Sequence, residues 1–579
     1  MTAVILIGVL YVGTTVHGNY YWGLCVLPVP VGAYVYCSRK ETFQKKLAFL
    51  REQWGQVTDR KRDFTDISSL YQCEESHIRD SGINDQTWAD LHMDEVYTRM
   101  DNTLTSPGQS VLYRILRTPL YEETPLQQRS QLFQLFQTNQ TLRESLQLEL
   151  LGLDRERQPG ITSLVWQPAP PVTGLRHIYT GLALVALLAL GLGYYVFGLS
   201  HLIILVLPVY LVNLVITNAL RKHYLFYLSS IRYLGDMIHV ARSIADRNVP
   251  GLEHYSQPLK TAAMACESLA RRTFLLRPED SVSSDLGAFL YGHINIYFLR
   301  EVRIFYAVAN RLQTCRQELQ TVYSLLGELD ALISVASYRQ QWEDHLAEPQ
   351  FTDQDNFMEV RDLVHPLMTD PVPNSLTLVA QGVTVTGSNM AGKTTFLRTL
   401  GVNAILAQTI YITFGSFYRT RFFHVLASLS EHDDLLAAKS YYLAEAENLL
   451  RMVKAARQDS WVLCLVDEPL AGTNSLERIA ASQEILRYLI KHHAVVFATT
   501  HDLGLARALE PDYQNTHFTD EVGSLGLQFD YKLRPGIATT TNALKLLDYL
   551  NYPSEIVAQA NQRLKTMHRI RSAEGKTQG

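Results

Sequence analysis

Apolar positions are concentrated in four uncharged runs that come in two pairs. The first 36 residues hold no Lys, Arg, Asp or Glu and divide into Thr2–Val16 and Tyr20–Tyr36 around the polar hinge His17-Gly18-Asn19. The second pair, Ile178–Leu199 and Leu202–Ile216, is joined only by Ser200 and His201. A bilayer span needs about 20 apolar residues. The second pair therefore predicts a transmembrane helical hairpin, and the first a shorter hairpin or a single span from Tyr20. Arg39, Lys40, Lys45 and Lys46 follow the first pair, and Arg176, His177, Arg221, Lys222 and His223 flank the second. Basic flanks favour the cytoplasmic side, which predicts a multi-pass protein of the cell (inner) membrane with the remaining chain in the cytoplasm. A secretory signal would carry a positive region before its apolar core, and none precedes Thr2–Val16.

Elsewhere the periodicity changes twice. Leu91, Val96 and Met100, then Val111, Leu112, Ile115 and Leu116, recur at helical spacing, with breaks at Ser106-Pro107-Gly108 and Pro159-Gly160. Long amphipathic stretches such as Ile294–Leu326 predict further helices up to residue 347. After Glu348-Pro349, short β-branched runs (Val383–Thr386, Val462–Val466, Val495–Thr499) alternate with helical segments, the pattern of a parallel α/β sheet. The expected organisation is a membrane hairpin (1–38), a helical region (39–175), a transmembrane hairpin (176–220), a second helical region (221–347), an α/β domain (348–565) and a disordered polar tail (566–579).

Composition sharpens this picture. Hydrophobic residues make up 47% of the 579 and charged residues only 19%, below the roughly 25% of soluble proteins, as expected if part of the chain lies in lipid. With 52 Lys+Arg against 57 Asp+Glu, the net charge of -5 excludes a uniformly basic nucleic-acid binder. Six cysteines occur without a CxxC pair, which points away from a disulfide framework or zinc site and toward free thiols.

The chemistry is concentrated after residue 380. Gly387-Ser388-Asn389-Met390-Ala391-Gly392-Lys393-Thr394 fits G-x-x-x-x-G-K-[ST] between the strand Val383–Thr386 and a helix beginning near Thr395. The glycines let backbone N–H groups close around phosphate oxygens, and the helix N-terminus adds its positive dipole end. Lys393 supplies charge to the β- and γ-phosphates, and the Thr394 hydroxyl is a Mg²⁺ ligand candidate. The buried-strand run Trp461–Val466 ends in Asp467-Glu468, with Asp467 placed to hold the Mg²⁺ shell and Glu468 to polarise an attacking water. A further apolar strand ends at His501, where a γ-phosphate sensor would sit. These residues predict an α/β P-loop NTPase that hydrolyses ATP with Mg²⁺, with Lys393, Glu468 and His501 as its catalytic groups.

Several segments together resemble the DNA mismatch-repair MutS family. Thr386–Thr395 followed by Phe396-Leu397-Arg398 is similar to its Walker A segment, and Val364-His365-Pro366-Leu367 with Val372–Leu376 to the approach to it. Asp433-Asp434-Leu435 and Ser440 resemble its signature loop, Asp467-Glu468 with Gly472–Ser475 its Walker B turn, and Phe497–His501 its switch strand. Tyr531–Gly536 and Pro553–Ala560 resemble its C-terminal end, so the likeness spans roughly residues 360–565 in order. Upstream, Met93–Val96 and Met100–Gly108 look like the start of its helical core and lever region. No stretch resembles the mismatch-reading domain with its Phe-x-Glu wedge. Ser388 stands where the family usually has Pro, and Thr541-Asn542-Ala543 where it often has Ser-Tyr-Gly.

The resemblance implies a homodimer closed through the ATPase domains, with Ser440 of one subunit approaching the nucleotide of the other. It also implies that Tyr531 stacks on adenine with Asn374 beside it, and that the protein engages DNA. A transporter of the ATP-binding-cassette type, or a membrane scaffold ATPase without DNA binding, is the alternative. The transporter would need an LSGGQ-like segment, and Ser428–Leu449 holds no glycine.

Overall fold

The computed structural model describes residues 28–577, apart from 59, 75, 154–159, 168–174, 202, 248, 274–284, 355–356, 380–381, 389–390, 430–440, 459, 472, 511, 524–525, 539–546, 548 and 551. The described chain forms two compact units. The first gathers the described residues of 1–59, 102–106 and 135–341, and the second those of 60–101, 107–134 and 342–579. This corrects the expectation that 39–175 is one helical region: 60–101 and 107–134 fold with the α/β part. Helical periodicity shows that a face is buried but not which element covers it.

The first unit is helical. Thr2–Val16 and residues 20–27 of the run Tyr20–Tyr36 lie outside the described residues. From Pro28 the chain is one helix to Gln53, passing from exposed Tyr34 and Tyr36 into Arg39 and Lys40 without a break. Helix Leu175–His201 is followed by a 44-residue helix, Ile203–Asp246. The expected boundary at 220/221 falls inside this helix, where its apolar stretch ends. Arg221 and Lys222 are good helix formers, so the charge change leaves the helix intact. Stretches His177–Val196 and Ile203–Leu220 are long and apolar enough to cross a membrane, by length and composition. Few of their residues are buried: Leu188, Tyr195 and Val215 are 66%, 90% and 68% exposed.

Ile294–Leu326, expected as one amphipathic stretch, belongs to three helices, Asp285–Phe298, Arg300–Thr314 and Arg316–Gln341. Leu299 adopts a left-handed φ of 49°, and the Asn295 side chain accepts the Glu301 N–H at 2.9 Å, which starts the next helix. Both predicted breaks fall at helix starts, Ser106 opening Ser106–Arg117 and Gly160 preceding Ile161–Trp166.

The second unit is built on a six-stranded sheet. Its strands are β1 (Gly382–Thr386), β2 (His424–Ser428), β3 (Val462–Asp467), β4 (Ala494–Thr499), β5 (Tyr513–His517) and β6 (Arg534–Pro535). Their order is β6-β5-β1-β4-β3-β2, and all neighbours are parallel except β6 against β5. β1, β3 and β4 are almost wholly buried, which explains their continuous apolar runs. A second, four-stranded mixed sheet is made of Phe357–Leu363 and Asn374–Val379, which precede β1, with Gln350–Phe351 and Phe417–Thr420. Residues 60–101 join this unit through polar contacts: Asp90 accepts the Leu429 N–H at 2.9 Å, and its carbonyl accepts from Arg398 at 2.8 Å. The tail expected to be disordered from 566 is the end of a helix, Ser554–Thr577. Arg569, Arg571, Glu574 and Lys576 are good helix formers, and no proline interrupts them.

Candidate active site

The carboxyl ends of β1, β3 and β4 bring Lys393, Thr394, Asp467, Glu468 and His501 together, as expected for an open parallel sheet. β1 runs into Gly387, whose φ is 139°. A Cβ there would meet the Phe518 carbonyl oxygen at 2.9 Å, so only glycine fits the turn. Gly392, at φ 99°, precedes helix Lys393–Ile410. Asn389 and Met390 lie outside the described residues. Ala391 is fully buried, and its N–H donates to the Ser388 carbonyl at 3.2 Å. The buried Ser388 hydroxyl has no hydrogen-bond partner among the described residues.

Lys393 is 1% exposed, and its ammonium donates to the Gly387 carbonyl at 2.8 Å. Burial lowers its pKa to about 8, opposed by the charges of Glu468 and Asp467. The same ammonium lies 3.2 and 3.1 Å from the two ring nitrogens of His501. His501 Nε2 is 2.5 Å from Glu468 Oε1. The hydrogen bond from His501 holds the Glu468 carboxyl below the usual carboxylate range, against the effect of burial. Lysine, histidine and glutamate thus form one continuous polar chain.

Beside it, Thr394 Oγ1 donates to Asp467 Oδ2 at 2.6 Å, and the Thr499 hydroxyl donates to the other Asp467 oxygen. Thr499 also receives the Glu468 N–H, through both its carbonyl and hydroxyl oxygens at 3.2 Å. Sequence reasoning gave Thr499 no role. Its place at the end of β4, next to β3, is the register that positions both acids. A hydroxyl and a carboxylate are hard oxygen donors of the kind Mg²⁺ takes, and Mg²⁺ commonly keeps waters for its other positions. Among the described residues no cluster of three or more His, Cys, Asp or Glu side chains forms a separate metal site.

A cavity of about 370 Å³ adjoins the loop, lined among others by Gly392, Thr394, Thr395, His365, Asn374 and Tyr531. Tyr531 is partly exposed, and its ring stacks on Phe529 with centroids 5.6 Å apart. The Asn374 amide is committed to backbone. Its nitrogen donates to the Tyr531 carbonyl at 3.0 Å, and its oxygen accepts the Leu533 N–H at 2.7 Å. Asn374 thus fixes the segment carrying Tyr531. His365 was visible only as part of a motif. It is buried in the cavity wall, and burial, with Arg398, His92 and Arg99 nearby, drives its pKa down to about 4, so it is neutral. Ser440 and the signature segment 430–440 lie outside the described residues.

The MutS domain V family model matches residues 383–568, a span that holds the whole polar chain just described. Residues 383–568 therefore carry the likeness to MutS domain V. The DNA mismatch repair protein MutS of Thermus aquaticus is 30% identical over 277 residues, 46% of this chain and 33% of that protein. The MutS of Thermus thermophilus is 29% identical over 277 residues, again 33% of its length. That of Staphylococcus haemolyticus is 25% identical over 272 residues, 30% of its length. The chain therefore spans about a third of the MutS proteins it matches, all within one part of each.

Proposed function

We propose that this chain is a MutS-family, Mg²⁺-dependent ATPase, held at a bilayer by its apolar helices, that dimerises with ATP and engages DNA. The observation that carries the ATPase reading is the unbroken chain Lys393–His501–Glu468 beside the Thr394–Asp467 pair. Nucleotide phosphates fit the loop on three grounds. Gly387 and Gly392 hold turns that expose backbone, Lys393 is buried with its charge toward them, and the Ser388 hydroxyl has no partner among the described residues. Thr395 follows on the first turn of the helix, whose N–H groups have no intrahelical acceptors.

Bound Mg²⁺ would supply charge neutralisation at the β- and γ-phosphates, with Thr394 and Asp467 holding it. Lys393 leaves the Gly387 carbonyl to pair with phosphate. His501 then loses its ammonium neighbour while still bonded to Glu468, which leaves its second nitrogen to report the terminal phosphate. Glu468, kept ionised by His501, orients the attacking water and draws on its proton. Tyr531 offers a ring to the base, and Asn374 holds that ring's segment in place.

The membrane reading rests on the exposed apolar faces of His177–Val196 and Ile203–Leu220. Such a surface in water is far larger than soluble proteins present. DNA contact and dimer closure through Ser440 rest on the likeness to that family alone. The deciding experiment is phosphate release by the detergent-purified full chain with and without Mg²⁺, using Lys393→Ala as control. Mg²⁺-dependent release by wild type and loss of ATP binding in the variant are expected. A wild-type protein that binds no ATP at equilibrium would sink the reading.

A further inference from the structure

The turn that follows the Walker B acids is held by a residue the ATPase mechanism does not use. Glu445 lies in helix Tyr441–Ala456 and is only 7% exposed. Its Oε1 accepts the Leu470 N–H at 2.5 Å and the Ala471 N–H at 3.4 Å. The turn it grips is strained: Glu468 and Leu470 both hold left-handed φ values, 47° and 60°. Side-chain-bearing residues adopt that conformation only when their surroundings enforce it. Pro469 between them has no N–H to contribute, and its carbonyl accepts from the Ser482 hydroxyl at 3.1 Å. Glu445 and Ser482 thus clamp the turn from two elements.

Taking a carboxylate out of water is costly unless hydrogen bonds replace the water, and packing alone would be served better by an apolar side chain. Here the replacement bonds come from the two amides next to the strained pair. Whatever fixes residues 468–471 also fixes the direction in which the Glu468 carboxylate leaves the backbone toward His501, 2.5 Å away.

We infer that Glu445 is a positioning residue for ATP hydrolysis: its carboxylate holds the 468–471 turn so that Glu468 faces the attacking water. The inference rests on the ATPase reading. It separates two tasks, since nucleotide binding belongs to the phosphate loop and cavity, and Glu445 is not among the described residues that line that cavity.

The test uses the detergent-purified full chain with Glu445→Gln and Glu445→Ala, each alone and combined with Glu468→Gln. Glu445→Gln keeps the volume and should lower kcat about tenfold, leaving KM and ATP affinity within about twofold. In the Glu468→Gln background, where the positioned group is already disabled, the same substitution should change the residual rate by less than about twofold. Hydrogen exchange at the Leu470 and Ala471 amides should quicken in Glu445→Ala, a readout that does not need turnover. An unchanged kcat overturns the inference. So does an equal fractional loss in both backgrounds, a parallel loss of ATP affinity, or unaltered exchange. If wild type releases no phosphate, the ATPase reading itself falls; if wild type turns over and the variants match it, only the role of Glu445 falls.

Discussion

At the scale of single residues, the buried ammonium of Lys393 sets a pH dependence with a definite sign. Its free-state pKa is lowered to about 8 by burial, whereas phosphate would stabilise the charged form. Above about pH 8 the free protein has lost this proton and must regain it on binding ATP. Affinity should therefore fall with rising pH, approaching tenfold per pH unit, and binding should take up a proton. Calorimetry at pH 8.5 in two buffers of different ionisation enthalpy checks this, and a flat affinity from pH 7.5 to 9.5 would contradict it. For the free protein the linkage runs the other way. The unfolded chain binds this proton up to about 10.5, so the contribution of Lys393 to stability rises between about pH 8 and 10.5. Glu468→Gln should leave ATP binding intact and slow phosphate release about 10²-fold or more, because the loss falls on water activation. Equal rates in wild type and variant, measured by single-turnover phosphate release, would remove Glu468 from the mechanism.

At the scale of elements, one buried acid organises the start of a helix from far along the sequence. Asp330, on helix Arg316–Gln341, accepts the Leu104 N–H at 3.0 Å, the Thr105 N–H at 2.8 Å and the Thr105 hydroxyl at 2.7 Å. These residues directly precede helix Ser106–Arg117, and all of them are buried. Replacing Asp330 with Ala leaves buried donors without their charged acceptor, which should cost about 2–4 kcal/mol. A fall in the melting temperature, followed by tryptophan fluorescence, is expected, with Asp330→Asn intermediate. Unchanged melting would mean that water or another side chain replaces the carboxylate at no cost.

At the scale of the whole molecule, membrane attachment and self-association can be tested together. The chain should remain with membranes through carbonate extraction because Ile178–Ile216 carries no charge. Its appearance in the soluble fraction would end the bilayer reading. With ATP, detergent-solubilised Glu468→Gln should accumulate as a dimer by light scattering, while Lys393→Ala stays monomeric. No stretch of this sequence resembles the wedge domain that unstacks a mispaired step. DNA binding should therefore be salt-steep and nearly indifferent to mismatches. A preference above about tenfold for mismatched duplex, or 1.4 kcal/mol, would reveal a reader on this chain.

The sequence alone determined the strand–loop–helix around Gly387–Thr394, the acids at the end of β3, His501 just beyond β4, and two uncharged apolar runs. Each is a local matter: glycine spacing, a buried apolar run closed by a charge, an unbroken apolar face. The tertiary structure decided what depends on residues distant in the chain. Residues 60–101 and 107–134 read as helices of the first region but pack in the second unit, because periodicity carries no address. Asn374 looked like a base contact, yet its amide is spent on the backbone around Tyr531, 157 positions away. Asp330 and Glu445 carried no signal at all, and Thr499 none beyond its place in the strand Val495–Thr499. Their side chains matter only through backbone amides and a carboxylate that folding brings beside them, and an isolated threonine or acid in a helix or strand does not announce its partner.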